Sequence, residues 1–78
     1  MNRYRNDIAR DRMEARTEAR DAAIRAAAKG NARAMTRFEN LARELADRSL
    51  AIGHPGNIDA LDRSAANRFR SFAATIEA

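Results

Sequence analysis

The sequence predicts an all-α chain folded as a compact three-helix bundle. Three observations carry that expectation. The 78 residues include 19 alanines and no valine, a composition biased toward helix and away from strand. Two breaks, at Gly30 and around Gly53–Pro55, divide the chain. Apolar residues between the breaks recur in steps of three and four.

The first helix is expected over about residues 3–28. Asn2 is placed to cap it, and Gly30 suits the left-handed position that follows a helix end. The break at "AKGNAR" also reads as a kink in one long helix, so the separation of helices 1 and 2 is left open. The second helix is expected over about 32–52, opened by Asn31. Met35, Phe38, Ala42, Leu45, Ser49 and Ile52 form its stripe, with Leu41 on its flank. "IGHPGN" ends it, with Gly53 after the last apolar position and Pro55 two residues on. The third helix is expected over about 58–77, capped by Asn57. Ile58, Leu61, Ala65, Phe69, Phe72 and Ile76 share its inner face, and Asp59 and Asp62 sit toward its positive end. Helices 2 and 3 then form an antiparallel hairpin with the phenylalanines at its seam, and helix 1 packs across it.

One domain, residues 1–78, is all this length supports, and its core must be small. The large apolar residues number sixteen, methionines and the tyrosine included. Cysteine is absent, so neither disulfides nor thiolate chemistry enter. No apolar stretch suits a signal peptide or a membrane span, and a soluble cytoplasmic protein is expected. The net charge is +4, with 14 arginines and one lysine, Lys29. Guanidinium groups favour bidentate contacts to carboxylate or phosphate. Eleven acids lie among them, which weakens charge alone as a sign of nucleic acid.

Helix 1 is unusual because alanine, arginine and acid make up most of it. At about 100° per residue its positions separate into faces. Tyr4, Ile8, Ala15, Ala19, Ala22 and Ala26 form a narrow stripe that lets two helix backbones approach closely. Asp7, Asp11, Glu14, Glu18 and Asp21, interleaved with Arg3, Arg10 and Arg25, occupy one side. Arg5, Arg12, Arg16 and Arg20 form a ridge on the other, with no acid inside it. Successive arginines at i,i+4 repel and mildly destabilise the helix. A solvated face is the ordinary reading of such a run. The functional reading is a partner-binding surface for an acidic protein. Met13 and Ile24 fall on the far side, either as incidental exposed residues or as a second contact surface such as a homodimer seam.

Catalytic constellations are not found. His54 is the single histidine and sits in a turn. None of the seven hydroxyl residues has a nucleophile's context, and the glycines match no phosphate-binding loop. Neither a metal site nor a cofactor is expected, and the chain is read as no enzyme. A helix-turn-helix fails in register. With Leu45 and Ala46 aligned to its apolar positions, Leu50 falls on the turn glycine, and Gly56 and Asp59 fall where branched apolar residues belong.

The expected function is therefore a small protein-interaction module, an adaptor or inhibitor, docking through Arg5, Arg12, Arg16 and Arg20. Chains of this size without a catalytic constellation are common among phage and mobile-element inhibitors of host systems, anti-CRISPR proteins included. That is a size-class expectation with no motif behind it. Two alternatives accompany it: a helical nucleic-acid binder contacting phosphates, and a self-assembling structural protein. Membrane association is not expected, because helix 1 offers no bulky apolar face to insert.

Overall fold

The computed structural model describes the backbone of residues 3–52 and 55–78 and the side chains of 7–46 and 59–78. Expectations about Asn2, Gly53 and His54, and about the side chains of Arg3, Tyr4, Arg5, Ser49, Ile52 and Ile58, lie outside these residues. Among the described residues there are three helices: α1 (Arg3–Ala28), α2 (Ala34–Ile52) and α3 (Pro55–Glu77). Together they form a three-helix bundle elongated along α1, with extents of 44 × 23 × 15 Å. Among the described residues no helix is long and apolar enough to cross a membrane.

The "AKGNAR" break is a true helix end. Gly30 has φ 107°, a conformation that suits glycine because it has no Cβ. The amide of Asn31 donates to the Ala26 carbonyl at 3.0 Å, and that of Gly30 to Ala27 at 3.1 Å. This pair of bonds is a Schellman closure, which satisfies the last carbonyls and stops the helix. Asn31 then accepts the Arg33 amide on its side-chain Oδ1 at 3.2 Å. That contact holds a short turn, so α2 starts at Ala34, two residues later than the sequence suggests.

The other boundary needs a larger correction. Helix α3 begins at Pro55, so Asn57 falls inside its first turn and does not precede it. Proline is well placed there, since its missing N–H belongs to the first turn, where no intrahelical partner exists. Pro55 thus both follows the end of α2 and opens α3. The earlier start also takes Asp62 out of reach of the helix dipole, which acts within the first turn.

The expected antiparallel hairpin of α2 and α3 forms, but the most extensive packing lies elsewhere. The phenylalanines do cluster: Phe38 lies 6.2 Å from Phe69 and 6.3 Å from Phe72, ring centre to ring centre. Yet α1 and α3 are the pair in closest and longest contact, and α2 meets each less extensively. The side-chain pairs Arg12–Asp62, Glu18–Arg70 and Arg25–Glu77 advance together along both helices. Helices α1 and α3 therefore run parallel, and α2 returns antiparallel to both.

The cause is the alanine edge. Ala15, Ala19, Ala22 and Ala23 on α1 are completely buried, and Ala65, Ala66 and Phe69 on α3 nearly so. Small side chains on both surfaces let the two backbones approach, and dispersion contacts accumulate although little area per residue is buried. Phe38, Leu45 and Ala34 of α2 complete the core, with Met35, Leu41, Ala42, Phe72 and Ile76 packed at its margin.

Candidate functional site

The charged flanks of α1 behave differently once α2 and α3 are in place. On the acidic flank, Arg70 of α3 acts as a clasp. Its terminal nitrogens donate to Asp11 at 2.8 and 3.1 Å, and its Nε donates to Glu18 at 3.1 Å. Asp11 and Glu18 are seven residues apart, two helical turns on one side of α1, so one planar guanidinium fork reaches both. Near the far end, Arg25 donates to Glu77. Arg68 forms a similar two-point contact to Glu44 on α2, at 2.9 and 3.3 Å.

These pairs leave a pH signature. The Arg70 hydrogen bonds hold the Asp11 carboxyl below its ordinary range, and Arg25 does the same for Glu77. A carboxylate whose folded pKa is depressed stabilises the fold above its unfolded pKa. That contribution is lost as pH falls through the folded value. Stability is accordingly expected to fall as the solution is acidified below about pH 4, the ordinary carboxylate range. Arg70→Met should melt lower than wild type at pH 7 and converge with it toward pH 2. Thermal melts of both proteins across that range check the difference.

On the opposite flank the four predicted arginines fare unequally. The Arg5 side chain lies outside the described residues. Arg12 is turned inward: its guanidinium donates to Asp62 Oδ1 at 2.7 Å, and the two side chains are 21% and 7% exposed. The sequence of α1 places no acid inside this ridge, but α3 brings one to it. Arg16 is exposed on the helix surface, and its guanidinium rests 5.4 Å from the centre of the Phe38 ring. The ring's negative face attracts the guanidinium and favours that placement of the side chain. Arg20 is exposed, with no ion pair to it among the described residues. Neither Arg16 nor Arg20 has an acid three or four residues away on α1, so the helix itself supplies no partner.

Asp62 could have been found from the sequence. It precedes Ala65, Ala66 and Phe69 by three, four and seven residues, which puts it on the buried face of α3. An acid on such a stripe calls for a cation beside it, and Arg12 supplies one. Arg70, one residue past Phe69, carries no comparable mark.

Met13 and Ile24 point into solvent, 69% and 45% exposed. They stand eleven residues apart, about 16 Å along the axis, with Arg20 between them. Elsewhere, α2 and α3 diverge enough to leave an open groove of about 430 Å³. Leu41 and Phe72, both half-buried, contribute its apolar surface. Arg37, Asn40 and Glu44 line it from α2, and Arg68, Ser71 and Thr75 from α3. Among the described residues no three histidine, cysteine, aspartate or glutamate side chains gather as a metal site would need. Comparisons of the chain with protein-family models, with curated proteins and with solved structures find no match.

Proposed function

We propose that this chain is a non-enzymatic, cytoplasmic protein-interaction module, an adaptor or inhibitor. It docks an acidic protein surface against the arginine flank of α1. The observation that carries the reading is the unequal treatment of the two flanks. Asp11 and Glu18 share the guanidinium of Arg70, whereas Arg16 and Arg20 are exposed with no ion pair among the described residues. Arg16 and Arg20 form the contact, and Arg12, braced by Asp62, sets the flank's position.

The structure supports this geometry energetically. Arg16 is pre-ordered on Phe38, so less side-chain entropy is lost when a partner carboxylate arrives. Arginine is enriched among the few residues that dominate binding energy. Phosphate contacts are the competing use of the same groups, but among the described residues the flank offers no exposed aromatic side chain for stacking bases.

The test is affinity purification from the source cell with wild type and with the double charge reversal Arg16→Glu/Arg20→Glu. Both side chains are exposed, so the melting temperature should stay close to that of wild type. Loss of a partner at a hot spot of about 2 kcal/mol weakens binding roughly thirtyfold. Capture of an acidic protein by wild type and its loss from the variant is the expected result. Unchanged recovery removes the flank from the interface. A shift of random duplex at about 50 mM salt, with a salt slope set by these arginines, would favour the nucleic-acid reading instead.

A further inference from the structure

Around α1, the exposed large apolar side chains and two of the arginines fall on one line. At about 100° per residue, Met13, Arg16, Arg20 and Ile24 lie within a sector of roughly 80°, which Ala9 and Ala27 continue toward either end. The steps between the four are three, four and four residues, so they follow one ridge of the helix surface. All four are exposed, and no ion pair reaches either arginine among the described residues. The sector holds no acid. Asp21, the nearest one around the helix, stands about 60° beyond Ile24 and borders the stripe on that side.

We propose that this stripe seats a single helix of the acidic partner. That helix lays two apolar side chains on Met13 and Ile24 and sets two carboxylates, one turn apart, on Arg16 and Arg20. The inference rests on the arginine-flank reading above and adds to it the form of the partner. Arg16 and Arg20 are about 6 Å apart along the axis, the spacing of successive turns on a facing helix. Met13 and Ile24 are eleven residues apart, so the partner's apolar pair has the same separation. Apolar contact at both ends shields the central charge pairs from water, and exposed pairs without such a rim contribute little.

Charge chooses this occupant over two others. A second copy of the chain would bring the same stripe across a two-fold axis, arginine toward arginine. An anionic membrane would find only two large apolar side chains to take in, three turns apart. A helix with acids toward Arg16 and Arg20, and none toward Asp21, meets opposite charge on one edge and avoids like charge on the other.

The probe is an alanine-based helical peptide of about twenty residues. It carries leucines eleven residues apart, glutamates four and eight residues after the first leucine, and glutamine on its far face. Titrated into the full chain labelled with nitrogen-15, it should shift the amides around Met13, Arg16, Arg20 and Ile24 and leave those of Leu41 and Phe72 in place. Changing both glutamates to glutamine, or both leucines to serine, should each weaken binding roughly tenfold. Met13→Ser/Ile24→Ser in the protein should weaken the parent peptide to a similar degree. Both positions are exposed, and circular dichroism should show wild-type helix content. A parent peptide that does not bind at millimolar concentration, or shifts amides elsewhere, overturns the inference and leaves the flank to the capture experiment above. Glutamates that matter while the leucines, Met13 and Ile24 do not overturn the seating of a helix but keep the arginine flank. Leucines that matter while the glutamates do not overturn both. Anionic vesicles that bind the chain while the peptide does not would assign the stripe to a membrane surface and overturn the inference as well.

Discussion

Phe69→Ala should leave the chain without a cooperative fold near room temperature. Phe69 is 1% exposed and the largest fully buried side chain of the described residues. It stands where α3 meets both the alanine edge of α1 and the ring of Phe38. Truncating a buried phenylalanine costs about 3–5 kcal/mol, transfer and cavity terms together. A core of this size supplies roughly that much net stability. The cost thus equals the whole margin, and the thermal transition should flatten or disappear. Phe72→Ala is the control at the core margin, where the ring is only half-buried, and it should retain a transition at lower temperature. Thermal melts followed by circular dichroism compare the two.

Ala19→Leu should destabilise the bundle although leucine is an excellent helix former and more apolar than alanine. Ala19 is completely buried in the core formed by the three helices, and the longer side chain must push the helices apart. Overpacking of this kind costs about 1–3 kcal/mol and occasionally more. For a domain of this size each kcal/mol lowers the midpoint by roughly 4–8 °C. The same substitution at exposed Ala27 should leave the midpoint almost unchanged. If the two variants melted together, close approach along the alanine edge would not be what holds α1. Displacing α1 would also pull Asp11 and Glu18 away from Arg70, so Ala19→Leu should show a weaker acid dependence than wild type.

Local pattern carried the helices and their faces. Among the described residues the buried set on α1 is Ile8, Ala15, Ala19, Ala22 and Ala26 of the stripe plus Ala23, and the phenylalanines meet as the period of three and four implies. Gly30 ends α1 as its lack of a Cβ allows. What local pattern could not supply was which helices lie closest. Short loops suggest that neighbours in sequence pair first, yet α1 and α3 approach most closely because both present small residues to one another. The ion pairs follow from that arrangement. Arg12 and Asp62 are 50 residues apart, and Arg70 and Asp11 are 59 apart. No i,i+4 rule reaches such distances. The arginine ridge was therefore visible in the sequence, but not the loss of Arg12 from it to Asp62. Pro55 shows a different limit, since one residue type both ends helices and begins them.

The parallel register of α1 and α3 along their alanine edges sets Arg70 on Asp11 and Glu18 and Arg12 on Asp62, and leaves Arg16 and Arg20 outside. The chain has no cysteine, so spin labels can be placed in pairs at exposed positions and the distance between them measured by pulsed electron resonance. A pair at Arg25 and Glu77 should be close. A pair at Arg25 and Arg63 should be clearly longer, the difference growing toward the roughly 20 Å spanned by fourteen helical residues. The opposite order, with 25 nearer to 63 than to 77, would mean antiparallel helices and would contradict the packing, the ion pairs and the exposed flank together.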